Sequence, residues 1–146
     1  KNRIQNAGIL GILYGSYNTI TNNWISGRET GIGIAYGSYN KVYENCVLNC
    51  SSSIYASDYN GTNYWSWNFR GNYWDDYSGN DTNGDGIGDD PYEIYGNANA
   101  FDLFPLMNCP LGEAPFPWLL TIIIIGSSVG VATVILTVIL IIRPKK

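Results

Sequence analysis

The residues best suited to chemistry lie in an acidic stretch between positions 81 and 93. Counted from Asp81, oxygen-bearing side chains occupy positions 1, 3, 5 and 9, which are Asp81, Asn83, Asp85 and Asp89. Position 6 is Gly86 and position 7 is Ile87. This is the spacing of the first part of a calcium loop, in which the seventh residue, here Ile87, offers its carbonyl oxygen. The twelfth position, usually a bidentate acid, is Tyr92, so Asp90 or Glu93 would have to substitute. The stretch predicts a structural Ca²⁺ site, and the alternative is a solvated acidic loop.

The charge distribution supports a cation in this region. No lysine or arginine occurs between Arg70 and Arg143, whereas residues 75–102 hold eight acids. The first 117 residues contain 5 basic and 12 acidic residues, so their formal charge is 5 − 12 = −7. A nucleic-acid binder needs a basic face, which excludes that class. The sequence has no histidine, the usual acid–base group, and we identify no catalytic residue in it.

A repeat indicates which elements position these residues. Residues 11–27 and 33–49 lie 22 positions apart and are identical at 8 of 17 positions. The unit has short β-branched runs, corners of Gly, Ser and Asn, and no helical periodicity. Such a unit predicts an all-β fold, a parallel β-helix or solenoid with about three laps over residues 1–64.

Residues in phase on successive laps are expected to stack inside this fold. One predicted column consists of Ile4, Ile20 and Val42. A second consists of Ile9, Ile25 and Val47. Asn18 and Asn40 recur at lap corners, where asparagine tolerates a left-handed backbone and can bond the next lap.

Aromatic residues are a second feature of the laps. Tyr17, Tyr39 and Tyr59 are expected at one relative position, and Tyr14 and Tyr36 at another. Stacked rings on a solenoid surface could be glycan platforms or packing pairs on a half-buried face, and we favour packing. Trp65 and Trp67 begin a cluster that either plugs the end of the solenoid or forms an aromatic cleft for glycans.

The C-terminal third has a different composition. We divide it into an acidic and aromatic cap (65–108), a Pro-containing neck (109–118), a transmembrane helix (119–142) and a basic tail (143–146). The helix segment has 24 residues without a charge, and 16 of them are Leu, Ile or Val. At about 1.5 Å per residue it would span roughly 36 Å, enough for a bilayer core. The basic tail then places the C-terminus in the cytoplasm and residues 1–117 outside the cell.

Two further expectations follow from this topology. Gly126 and Gly130 form a GxxxG step through which two helices can pair. An outward-facing domain needs an export signal, so we expect additional sequence upstream of Lys1.

Export also bears on the cysteines and on glycosylation. Cys46 and Cys50 are candidates for a disulfide across one corner. For Cys109 three alternatives stay open: a partner in missing N-terminal sequence, a partner in another molecule, or no partner. Sequons for N-glycosylation occur at Asn49, Asn60 and Asn80.

The chain resembles a known family in the segment GNYWDDYSGNDTNGDGIGDDPYEI and the later FDLFPLM. These motifs are similar to the C-terminal cap of NosD-like right-handed parallel β-helix proteins, and the laps resemble the same group, sometimes called carbohydrate-binding and sugar-hydrolase domains. The acidic stretch also resembles thrombospondin type 3 and dockerin calcium loops. The resemblance to the NosD-like proteins covers about residues 1–107 and implies right-handed parallel β-helix laps followed by a cap. The resemblance to the calcium loops implies a structural calcium site.

Three functions remain under consideration. The first is a membrane-anchored extracellular module that is structural or binds glycans. The second is a polysaccharide lyase or hydrolase whose active face lies mainly in missing N-terminal laps, because the acids of residues 1–60, Glu29, Glu44 and Asp58, form no convincing pair. The third is a copper-maturation accessory, disfavoured because soft ligands are few: no His, one Met and three Cys.

Overall fold

The structure, a computed structural model, describes residues 2–5, 9–27, 31–51, 54–59, 61–112, 120–125 and 135–140. The chain divides into two compact units, Lys1–Gly112 and Glu113–Lys146. All regular elements in the described residues are strands, which confirms the predicted all-β class.

The first unit contains eleven of the described strands. In chain order they are β1 (Asn2–Gln5), β2 (Leu10–Leu13), β3 (Thr19–Thr21), β4 (Asn23–Ser26), β5 (Ile32–Ala35), β6 (Lys41–Tyr43), β7 (Cys46–Leu48), β8 (Ala56–Tyr59), β9 (Tyr73–Trp74), β10 (Tyr92–Ile94) and β11 (Ala100–Asp102).

Strands β1 to β9 form three parallel sheets. Sheet 1 has the order β1-β4-β7-β9, sheet 2 the order β2-β5-β8, and sheet 3 consists of β3 and β6. The chain passes through sheets 1, 2 and 3 in turn and returns to sheet 1 at β4 and again at β7, and each return completes one lap. Between β8 and β9 an isolated bridge of Tyr64 with Lys41 takes the place of a strand in sheet 3. Parallel neighbours need a long connection between them, and here the other two strands of the lap supply it.

The 22-residue period sets the register between the two central laps. Ile20 pairs with Val42 in sheet 3, and Ile25 pairs with Val47 in sheet 1. All four side chains are buried and belong to one hydrophobic core. The predicted stacking of these two pairs is therefore confirmed.

The predicted register of the first lap is wrong. Ile4 pairs with Ile25 rather than with Ile20, and Asn2 pairs with Asn23. Ile9 belongs to neither column, and its side chain is about half exposed. The reason is that the Asn-x-Ile pattern occurs twice in the second lap, and the first lap matches the later copy.

The cap covers the C-terminal end of the core of the laps. Trp74 continues the column of Val47 in sheet 1, and Trp65 lies beside it with ring centroids 6.2 Å apart. Both indoles are about 1% exposed. The antiparallel hairpin of β10 and β11 follows, and its Ile94 joins the same core.

The disulfide also differs from the prediction. Cys46 bonds Cys109, with Cα atoms 5.5 Å apart, and Cys50 is a free thiol. Cys46 lies at the buried start of β7, where it pairs with Tyr73 of the cap. The bond ties the laps to the cap across 63 residues, and a link over such a long loop restricts the unfolded chain strongly.

The second unit is described only in part. Strands β12 (Leu120–Ile125) and β13 (Ile135–Leu140) pair antiparallel, where the sequence predicts a helix. Ile, Val and Thr make up five of the six residues of β12 and four of the six of β13, and these β-branched residues favour extended strands. Within the described residues no helix has the length and apolar character to cross a membrane. Gly126, Gly130, the neck after position 112 and the basic tail lie outside the described residues, so the helix over 119–142 stays a prediction.

Candidate functional site

Two columns of stacked tyrosines occupy one corner of the laps. Tyr14 stacks on Tyr36 with ring centroids 5.0 Å apart, and Tyr17 stacks on Tyr39 at 5.2 Å. The interplanar angles are 13° and 17°. All four rings are exposed, from 45% for Tyr39 to 78% for Tyr17. We call these four residues the tyrosine columns.

The backbone at the tyrosine columns is strained. All four residues have φ between 58° and 60°, a left-handed conformation that costs roughly 1–2 kcal/mol for a side chain with a Cβ. Ring stacking returns about 0.5–1.5 kcal/mol per pair, which does not cover two strained residues. Glycine or asparagine would adopt this backbone conformation at lower cost. The backbone therefore does not account for tyrosine at these four positions, whereas a role of the exposed rings does.

The other predicted glycan residues do not join the tyrosine columns. Tyr59 pairs with Ala35 in sheet 2, not with Tyr39, because the third lap is longer. Trp65 is buried, and its indole N–H donates to Asp58, so it cannot stack on a ligand at the surface. The Lys41 ammonium lies 3.4 Å from the centre of the Trp67 ring and occupies that face.

Two ladders of asparagine side chains run along the laps. In each link, the amide N–H of one asparagine donates to the carbonyl oxygen of the asparagine on the next lap, at 2.9–3.1 Å. The first ladder consists of Asn18, Asn40 and Asn63. The second consists of Asn2, Asn23, Asn45 and Asn72. The ladders hold the lap corners together because a buried amide is stable only when its donors and acceptors are paired.

Each ladder ends on a buried carboxylate that also accepts a tryptophan N–H. Asn63 and Trp65 donate to Asp58, and Asn72 and Trp74 donate to Asp102. A carboxylate suits this position because the last amide presents a donor and an ionised carboxylate only accepts. Burial raises the pKa of Asp102 to about 6 and also raises the pKa of Asp58, while the donated hydrogen bonds act in the opposite direction. The sequence offered no signal for these two residues, since their spacing from the asparagines differs.

These contacts also account for the acids of the laps. Asp58 is enclosed in the first ladder, and Glu44 pairs with Arg70 at 3.5 Å. Glu29 lies outside the described residues. The two described lap carboxylates therefore have structural partners. Glycoside hydrolysis requires a pair of carboxylates across a groove, and these two, held by Asn63 and Arg70, do not supply one.

The acidic loop folds around its first aspartate. The two carboxylate oxygens of Asp81 accept the backbone N–H groups of Gly84, Asp85 and Gly86 at 2.8–3.1 Å. Gly84 and Gly86 have φ of 74° and 84°, which favours glycine at both positions.

The remaining predicted calcium ligands separate into two groups. Asn83 donates to the Asp85 carboxylate at 3.0 Å, so these two side chains lie beside Asp81. Asp89 instead accepts the N–H and hydroxyl of Thr82, and these hydrogen bonds lower its pKa. Asp90 offers its carbonyl to Tyr77, and Glu93 lies on β10. In the described part of the chain, no three acidic or cysteine side chains form a group that could hold a metal ion.

The predicted glycan acceptors have different surroundings. Asn49 and Asn80 are both exposed. The carbonyl of Asn80 accepts the N–H of Asp89, so this sequon adjoins the acidic loop. Asn60 lies outside the described residues.

Comparison with known proteins identifies a family. Residues 1–79, more than half of the chain, match the family model NosD, described as a periplasmic copper-binding protein. No curated protein and no solved structure matches. The match covers the laps and the start of the cap, and it ends before the acidic loop at 81–89.

Proposed function

The chain belongs to the NosD family, as its resemblance predicted, and we propose that it is a right-handed parallel β-helix displayed outside the cell and anchored in the membrane. The parallel register of all three sheets supports the β-helix. A right-handed crossover is the general preference for parallel strands. The periplasmic description of the family supports an exported location.

Copper binding does not fit the residues of this chain. Copper is held by soft or imidazole ligands, and the chain has no histidine and a single methionine, Met107. Cys46 and Cys109 are consumed by their disulfide, which leaves Cys50 as the free thiol of the three cysteines. One thiol and one thioether do not make a copper site, so we derive no function from the metal.

We propose that the tyrosine columns bind neutral glycans. The observation that carries this proposal is the set of four exposed tyrosines held in a strained backbone and stacked lap on lap. Rings in adjacent laps lie about 5 Å apart, and the inner faces of each pair cover each other. The most exposed rings are those of Tyr14 and Tyr17, at 72% and 78%, and their outer faces would pack on the apolar side of a sugar ring.

Replacing Tyr17 and Tyr39 together by asparagine tests this proposal. Asparagine tolerates the left-handed backbone, so the corner is retained while both rings are lost. We expect affinity for neutral oligosaccharides, such as xylan and mannan hexamers measured by calorimetry, to fall about tenfold. Phe101→Ala, which removes an exposed ring outside the tyrosine columns, is the control. Equal affinity of the double variant and the wild type would refute glycan binding at this corner.

We also propose that the acidic loop binds Ca²⁺ as a structural ion. Support comes from the spacing of Asp81, Asn83 and Asp85 and from their close arrangement, with the hard oxygen donors that calcium prefers. Binding would require Asp89 to turn from Thr82 toward the other ligands.

Calcium is expected to raise the melting temperature of the protein, because a ligand bound only to the folded state stabilises it by mass action. Asp85→Ala should abolish the shift, whereas Asp75→Ala, an exposed acid outside the loop, should retain it. Differential scanning fluorimetry with and without calcium measures both. A wild-type melting temperature that is the same with and without calcium would contradict the calcium site.

We propose that residues 119–142 anchor the protein as a membrane helix, on the strength of their length and lack of charge. The protein should stay with the membrane after alkaline carbonate extraction. Changing Val129 and Val131 to aspartate should release it, since each charge costs about 3 kcal/mol at the centre of a helix in lipid. Release of the wild-type protein by carbonate would exclude an integral anchor.

A further inference from the structure

An open cleft lies where the last lap meets the cap hairpin, and neither the tyrosine columns nor the acidic loop uses it. Its volume is about 680 Å³, in the range of small-molecule sites. The residues that line it are Tyr59, Asp76, Tyr92, Glu93, Tyr95, Gly96 and Asn97. We call this feature the cap cleft.

The walls of the cap cleft are held in place by the fold. Tyr95 continues sheet 2 beside β8, with its carbonyl accepting the Asp58 N–H at 2.8 Å. Its ring packs edge to face on Tyr59, with centroids 6.2 Å apart. Gly96, at φ 129°, lies against the Asp58 carbonyl, and any Cβ at this position would collide with that oxygen. The segment that carries the cleft is therefore fixed to the laps by backbone contacts.

The floor of the cleft orients one of its acids. Tyr92 stacks on Trp74 with centroids 4.7 Å apart, and its hydroxyl donates to the Asp76 carboxylate at 3.0 Å. The Tyr92 ring is thus held from beneath, and the Asp76 carboxylate is held from one side.

The charged residues that line the cleft are both acidic. Asp76 and Glu93 are both exposed, and no lysine or arginine is among the lining residues. Partial desolvation and the neighbouring Asp75 raise the pKa of Asp76, while the hydrogen bond from Tyr92 acts in the opposite direction. Among the described residues the one ion pair joins Arg70 and Glu44, outside the cleft.

We propose that the cap cleft binds a ligand bearing an organic ammonium group, with Asp76 and Glu93 as its counter-charges and the rings of Tyr59 and Tyr95 as its apolar walls. Aromatic rings attract ammonium groups as well as sugars, but two uncompensated carboxylates favour a cationic ligand over a neutral one. Lys41 over Trp67 shows an ammonium–ring contact already used in this fold. This site is independent of glycan binding at the tyrosine columns.

Titration of the full chain in detergent, without calcium, tests the proposal. The probes are spermidine, a glucosamine tetramer and a short lysine peptide, and cellotetraose is the neutral arm. We expect the ammonium probes to bind and the neutral sugar not to bind, with about tenfold weaker affinity when salt rises from about 50 to about 500 mM. The probe that binds most tightly identifies whether the source is a polyamine, an amino sugar or a protein side chain.

Variants separate the cleft from general charge attraction. Glu93→Gln should weaken ammonium binding about tenfold and Tyr95→Leu about fivefold. Asp90→Asn removes the same charge from an exposed acid outside the cleft and should leave affinity within about twofold. Unchanged melting temperatures establish that the variants fold. Equal loss in Asp90→Asn and Glu93→Gln, equal binding of cellotetraose, or binding by no probe would each overturn the proposal.

Discussion

Replacing Asn45 with alanine is expected to lower the free energy of unfolding by about 3–5 kcal/mol. Asn45 is fully buried, and its side chain joins three laps. Its carbonyl oxygen accepts two N–H groups of Asn23, and its amide donates to Asn72 and to the carbonyl of Ile20. Alanine would remove the acceptor of both Asn23 N–H groups and the donor to the Ile20 carbonyl. Each unpaired buried group costs about 1–3 kcal/mol.

Denaturant unfolding followed by tryptophan fluorescence measures this loss, because Trp65 and Trp74 report on the core at the end of the ladders. Asn18→Ala is the matched control. Asn18 holds the exposed first position of the other ladder, so its loss should cost about 1 kcal/mol or less. A cost at Asn45 as small as the cost at Asn18 would show that the ladders contribute little beyond the packing of the laps.

The second large effect is a gain in stability on acidification, carried by Asp102. The pKa of Asp102 is about 6 in the folded protein, against 3.8 for an aspartate in the unfolded chain, so between these values the folded state holds a proton that the unfolded chain has lost. The free energy of unfolding is therefore expected to rise as the pH falls through 6 and to reach its full gain near the unfolded pKa. A shift of this size corresponds to about 3 kcal/mol. Above pH 6 that contribution is lost.

Urea unfolding at about pH 7 and about pH 4.5 tests this dependence. Asp102→Asn should remove most of the gain, because an amide keeps an oxygen for Asn72 and Trp74 and does not titrate. Asp58 has a raised pKa from burial and adds a smaller contribution of the same sign. Asp75→Asn, at an exposed carboxylate, should retain the full pH dependence. A wild-type stability that falls steadily from pH 7 to pH 4.5 would contradict the assignment to Asp102.

In the tyrosine columns, the period of the sequence was sufficient to predict which residues are in contact. Tyr17 and Tyr39 were expected to coincide because the two central laps have the same length, and their rings do stack. Tyr59 was expected in the same column, but the third lap is longer, and Asn40 bonds Asn63 at a separation of 23 residues while Asn45 bonds Asn72 at 27. Once lap length varies, counting residues no longer gives the register.

The sequence by itself determined the all-β class, the family and the pairing of Ile20 with Val42 and of Ile25 with Val47. These follow from local spacing, since equal laps bring equal residues together wherever the chain closes on itself. Only the tertiary structure decided the Cys46–Cys109 bond, the burial of Asp58 and Asp102, and the assembly of the cap cleft. Each of these joins residues from laps and cap that no fixed period relates, and their contacts depend on how the cap folds back onto the last lap.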